Sequence, residues 1–263
     1  MNRIVSLLAL VFICATQVQA DKNDLVELCK SLDYSKIDIG LNMLEKTPPN
    51  EGERYSVKRL VNNELVSNYW QVLYAIERVE LNPDDPMSFS TQLFRIELFR
   101  QSNDVIYFLV EEYDQDQKQR INFWKDKQIS QVNTFLKTYQ DSFGRALTPD
   151  NMFVHDVQYG TKCGNNGTIL PYRRKLIEAI NNTDTAQMIE WLGSGVVEKQ
   201  FFGLEGLLQM QKDGLILEPQ TINTMERFKT KGGELNYCTG KTIRRRSIKD
   251  TALGIFSRFE KEE

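Results

Sequence analysis

Histidine is all but missing from this chain: His155 is the only one among 263 residues. A His-Glu-x-x-His zinc motif and a multi-histidine metal cage are thereby excluded, since each needs more than one imidazole at the same site. Cysteine is sparse too, with Cys14, Cys29, Cys163 and Cys238 alone. Cys29, Cys163, Cys238 and His155 together would just complete a four-ligand zinc site, but they lack the closely spaced ligand pairs such sites use. There is no excess of positive charge: 33 Lys and Arg stand against 36 Asp and Glu, a net of −3. That is not the basic balance with which nucleic-acid binders neutralise phosphates, so no nucleic-acid partner is expected. Long apolar runs are missing beyond Ala15, and a transmembrane helix needs about 20 such residues.

Several nucleotide, hydrolase and ion motifs are present only as fragments. Thr239-Gly240-Lys241-Thr242 ends like a phosphate loop, but Leu235 stands where the first glycine of that loop belongs. Ser194, in Gly193-Ser194-Gly195, lacks the glycine spacing of a hydrolase elbow and reads as a turn between helices. Asp114 and Asp116 are not followed by the glycine and distal glutamate of a calcium loop. No cofactor and no metal is expected.

What is present begins with the first twenty residues. MNRIVSLLALVFICATQVQA has one early positive charge at Arg3, an uncharged apolar stretch from Ile4 to Ala15, and Val18-Gln19-Ala20 ahead of an expected cut. Those are the three regions of a secretory signal peptide. Cys14 follows Val11-Phe12-Ile13 rather than the small residues of a lipoprotein signal. The chain is therefore read as exported to the periplasm or the extracellular medium, with 243 of its 263 residues remaining. In an oxidising compartment, two of the three remaining cysteines should be bridged. Cys163 with Cys238 is the favoured pair, because one opens and the other closes what reads as a single helical segment. Cys29 is left as a buried apolar residue on the first helix.

Residues 24–46 read as one or two helices, and Thr47-Pro48-Pro49-Asn50-Glu51-Gly52 as a break. Residues 55–78 place Val57, Leu60, Val61, Leu65, Tyr69, Val72 and Ala75 at threes and fours, which predicts another helix. Alternation then takes over. Leu93, Arg95, Glu97 and Phe99 fall on one face and Phe94, Ile96 and Leu98 on the other, which predicts a strand over 91–100. The turn Gln101-Ser102-Asn103-Asp104 leads to a second strand over 105–110, and 121–124 reads as a third. Residues 21–150 thus form an α+β domain with helices on an antiparallel sheet. The Gly-, Asn- and Asp-rich stretch 141–172 marks the boundary with a second domain, 151–263. That domain reads as all-helical, with helices over 171–180, 184–192, 197–211 and 219–230. Asp184 serves as an N-cap and Pro219 as a first-turn proline.

Within it, the stretch from Met188-Ile189-Glu190-Trp191-Leu192 through Glu198-Lys199 to Gly203-Leu204-Glu205-Gly206-Leu207-Leu208 resembles a HEAT-type helical hairpin. With Cys163-Gly164, Pro171-Tyr172-Arg173 and Tyr237-Cys238, the C-terminal third is similar to a group of exported bacterial proteins of unknown function. The resemblance implies a HEAT-like helical-repeat module and brings no activity with it. Gly203 and Gly206 stand where such repeats carry alanine, so either the helices approach closely there or the second helix is weak.

Three functional readings follow. The leading one is a non-enzymatic exported protein whose helical module binds a protein or an envelope component, with Lys241, Arg244, Arg245, Arg246 and Lys249 as a basic cluster for an anion or an acidic partner. The second is a hydrolase without a recognisable motif, using carboxylates or His155, alone or paired with a free Cys163. The third is a carrier holding a small apolar ligand with Phe94, Tyr107, Phe108 and Trp124 of the sheet. Asn166-Gly167-Thr168 and Asn181-Asn182-Thr183 are glycosylation acceptors in a eukaryote with that pathway.

Overall fold

A computed structural model describes residues 22–46, 53–82, 85–113, 120–147, 152–154 and 156–260. The expected signal peptide, the Thr47–Gly52 break, Asp114, Asp116 and His155 lie outside these residues. Two helices, α1 (Lys22–Lys30) and α2 (Tyr34–Lys46), lead into a five-stranded antiparallel sheet. Its strands β1 (Glu53–Val66), β2 (Tyr69–Asn82), β3 (Asp85–Gln101), β4 (Asp104–Tyr113) and β5 (Arg120–Lys127) lie side by side in sequence order. Helix α3 (Ile129–Phe143) follows.

Both faces of this sheet are covered. Leu25, Val26, Cys29, Ile37 and Leu41 of α1 and α2 pack on Val72, Tyr74, Ile76, Phe94, Ile96, Leu98, Phe108 and Val110. Phe135 and Tyr139 of α3 pack on the opposite face with Leu73, Phe99, Ile106 and Tyr107. Double burial is why β2 and β4 carry unbroken apolar runs, such as Val72-Leu73-Tyr74 and Val105 to Val110, where a half-exposed strand would alternate.

The strand expected over 91–100 and its hairpin with 105–110 are present as β3 and β4, with Ile96 opposite Val110 and Leu98 opposite Phe108. The helix expected over 55–78 is not. That stretch is the β1–β2 hairpin, turning at Ser67-Asn68, both with positive φ (44° and 67°). Two residues of that kind form the turn whose twist suits paired strands. The misleading spacing comes from two irregularities in β1, between Arg59 and Val61 and between Glu64 and Val66. Each inserted residue flips the phase of the alternation. Tyr55 and Val57 accordingly face α1 and α2, while Val61 and Leu65, also odd-numbered, face α3.

The C-terminal part is not the all-helical HEAT-like module expected of it. It contains a four-stranded sheet in the order β7-β6-β8-β9, formed by β6 (Tyr159–Cys163), β7 (Thr168–Ile169), β8 (Glu234–Gly240) and β9 (Thr242–Ser247). Strands β6 and β8 run parallel, and both hairpins are antiparallel. Between them lie α4 (Pro171–Asn181), α5 (Thr185–Leu192), α6 (Val197–Lys212) and α7 (Pro219–Glu226), and α8 (Ile248–Glu260) follows. The Asp184 carboxylate caps α5 by accepting from Gln187 N at 3.0 Å. Helix α6 is buried on nearly every side, including Phe201, Phe202, Leu204 and Leu207. Gly203 is what lets α5 approach it: a Cβ there would lie 2.6 Å from Leu192 N and 2.7 Å from Met188 O. Close approach, rather than a weak helix, therefore accounts for that glycine.

Candidate functional site

The basic cluster foreseen in the sequence lies on β9 and on either side of it. Among the described residues, strand β9 is the outermost of its sheet and pairs with β8 alone, with Tyr237 opposite Arg244, Asn236 opposite Arg245 and Leu235 opposite Arg246. Every residue from Thr242 to Arg246 is exposed. Because side chains alternate, Arg244 and Arg246 share one face and Arg245 takes the other. The Arg246 guanidinium lies 3.8 Å from the centre of the Tyr237 ring, and Arg245 Nη1 is 3.7 Å from Glu234 Oε2. Lys241 follows Gly240 in the hairpin turn, where Gly240 has φ 59°. This turn explains the Thr239-Gly240-Lys241-Thr242 fragment: the glycine reverses a chain rather than cradling a phosphate. Lys249 extends the positive charge into the first turn of α8, whose start is held by Asp250 N donating to Ser247 Oγ at 3.2 Å.

Beneath this hairpin, Cys163 and Cys238 are joined in a disulfide with Cα atoms 5.6 Å apart, tying β6 to β8. Its sulfur so engaged, Cys163 cannot be the free thiol of a cysteine–histidine pair. Cys29, on the sheet-facing side of α1, is fully buried, and burial pushes its thiol up to about 12, so it holds its proton. A disulfide fits an exported protein, and no helix among the described residues is long and apolar enough to cross a membrane.

The aromatic residues of the carrier reading are not gathered at one site. Phe94 and Phe108 pack toward α1 and α2, whereas Tyr107 packs toward α3. The side chain of Trp124 lies outside the described residues. Among the described residues, no group of His, Cys, Asp and Glu side chains has the arrangement of a metal site.

A second feature had no signal in the sequence. A cavity of about 360 Å³ opens where α4, α5 and α6 meet the chain leaving α3, and Arg145, Tyr172, Lys175, Glu190, Trp191 and Lys199 help line it. No family model, curated protein or solved structure matches this chain. The likeness of the C-terminal third to a HEAT-type module of exported bacterial proteins therefore has no support from a family model, and the sheet β6–β9 contradicts it.

The seam between the two halves of the molecule is polar and buried. Tyr139 of α3 donates its hydroxyl to Ser194 O at 2.7 Å, and Gln71 Nε2 of β2 donates to Gly195 O at 3.2 Å. Gln200 Nε2 also donates to Ser194 O at 2.6 Å, while its Oε1 accepts from Lys231 Nζ at 2.5 Å. Burial lowers the Lys231 ammonium to about 7, with Glu64 opposing the shift. Nearby on α6, burial raises the Glu198 carboxyl to about 7, opposed by the N–H of Asn236, which donates to its Oε1 at 2.8 Å. Glu205, partly buried on α6, has its oxygens taken up: Oε2 accepts from Tyr159 at 2.6 Å and from Arg173 at 2.8 Å, and Oε1 is 3.6 Å from Arg258. These residues clamp elements together. Lys231, in Thr230-Lys231-Gly232-Gly233, has the composition of an exposed loop, so its burial left no trace in sequence patterning.

Proposed function

We propose that this exported protein works by binding rather than by catalysis, and that its partner is an acidic, extended protein segment laid along β9. The observation that carries this reading is an outermost strand with three consecutive exposed arginines. An open sheet edge offers backbone N–H and C=O groups in register for one more strand. Arginines on both faces of that edge supply forked donors for carboxylates. Placing the protein in the periplasm or the extracellular medium belongs to the same proposal and rests on the sequence of the first twenty residues together with the disulfide. An envelope component other than protein, a small-molecule cargo or an undisclosed hydrolase substrate are the competing outcomes.

The test is mild cross-linking of the exported chain in its native envelope or medium, followed by mass spectrometry of what it captures, in parallel with Arg244→Glu/Arg245→Glu/Arg246→Glu. We expect a specific protein with an acidic segment, captured less as salt is raised and lost in the triple variant. Recovery of the same protein by the folded variant, or of no protein at all, overturns the reading.

A further inference from the structure

The cavity beside the α5–α6 turn is built from both halves of the chain, and its charges are unbalanced. Lys175 Nζ and Lys199 Nζ lie 5.5 and 5.1 Å from the centre of the same ring, Tyr172. Arg145, delivered just after the Gly144 cap of α3, packs its stem on the turn, where a Cβ at Gly193 would meet its Cδ at 3.2 Å. None of the three cations makes an ion pair among the described residues, and Glu190 is the one carboxylate on the described wall. Three cations against one carboxylate leave the wall net positive, which favours a negative ligand.

The rest of the wall is compatible with a negative charge. Of the successive carbonyls of Gly193, Ser194 and Gly195, which would repel an anion, the last two accept from side chains of the core: Ser194 O from Tyr139 at 2.7 Å and Gln200 at 2.6 Å, and Gly195 O from Gln71 at 3.2 Å. They are thereby held toward the seam. Helix α6, sixteen residues long, starts just beyond the turn, and its amino end adds partial positive charge. Tyr172 and Trp191 meet edge to face at 5.6 Å and supply an apolar wall. A cavity of about 360 Å³ is of the size that holds a small molecule.

We propose that this cavity binds a compact oxyanion, a phosphate or a carboxylate group, gripped by Lys175, Lys199 and Arg145, with any flat remainder of the ligand against Tyr172 and Trp191. The site is separate from β9 and stands whether or not β9 binds a protein. Isothermal titration calorimetry on the full exported chain tests it, with inorganic phosphate and benzoate as probes. Saturable one-site binding of phosphate alone names a phosphate site, and that of benzoate a carboxylate site. Lys175→Gln/Lys199→Gln should weaken it about tenfold or more, and Glu190→Gln should tighten it. Arg244→Gln/Arg245→Gln/Arg246→Gln should leave it unchanged. The proposal is overturned if neither probe gives saturable heat up to about 10 mM, if the folded double variant binds as the parent does, or if the strand variant abolishes binding. Should the double variant fail to fold, Glu190→Gln decides: a weakened or unchanged affinity overturns the proposal.

Discussion

Lys231 and Glu198 are ionisable groups that folding removes from water, and they push stability in opposite directions along the pH axis. A lysine with its folded value lowered to about 7 binds fewer protons folded than unfolded between about 7 and its ordinary 10.5. Stability attributable to it is present above 10.5 and is lost as pH falls through 7. A carboxyl raised from 4.5 to about 7 does the reverse: its contribution is present below 4.5 and is lost as pH rises through 7. The two together place a minimum of stability near neutrality, with each limb approaching about 1.4 kcal/mol per pH unit at its steepest. Urea unfolding across pH 4 to 10 checks this, where Lys231→Met should flatten the alkaline limb and Glu198→Gln the acid limb. Unaltered limbs in both variants would show that the seam admits water.

At the scale of elements, the contact between α5 and α6 turns on Gly203. Alanine in an exposed helix interior is favoured over glycine by roughly 1 kcal/mol. Here its Cβ would fall against the α5 backbone, which cannot swing aside as a side chain can. Overpacking of this kind costs about 1 to 3 kcal/mol, so Gly203→Ala should destabilise despite the helix preference, read as a lower urea midpoint with an unchanged slope. How far elements were legible depended on whether their signal was local. Helices α4, α5 and α7 announced themselves through Pro171, Asp184 and Pro219, and β3 through the alternation from Leu93 to Phe99. Strand β1 hid behind its bulges, because a phase shift midway turns a period of two into spacings of three and four. The C-terminal sheet was illegible for another reason: β6 and β8 are short and pair far apart in sequence, Tyr159 with Tyr237 and Cys163 with Gly240, so neither carries its partner nearby. The basic residues of β9 were visible as a cluster, but that they line an open sheet edge was not. The cationic cavity was invisible, since Arg145, Lys175 and Lys199 come together only in the folded chain.

At the scale of the molecule, the disulfide closes a loop between cysteines 75 residues apart, and in the chain-entropy account such a loop contributes about 4 kcal/mol. Cys163→Ser/Cys238→Ser should lower unfolding free energy by about that amount, and reduction of the parent should match it; a loss confined to β7 and β9, seen by hydrogen exchange, would instead make the bond a local clasp. The C-terminal core and the α3 side of the first sheet meet along the seam of Gln71, Tyr139, Gln200 and Lys231. Separating the halves would therefore strand hydrogen-bonding groups as well as apolar ones, and the chain should unfold as one cooperative unit.

The burial of Cys29 has a consequence for how the correct bond is reached. Cys29, Cys163 and Cys238 allow three single pairings in an open chain, two of which misuse Cys29. Once α1 docks on the sheet, that thiol is enclosed and stays protonated, and thiol–disulfide exchange needs an accessible thiolate. The first half of the molecule, by folding, thus withdraws the wrong partner and acts as a proofreader of oxidation in the second.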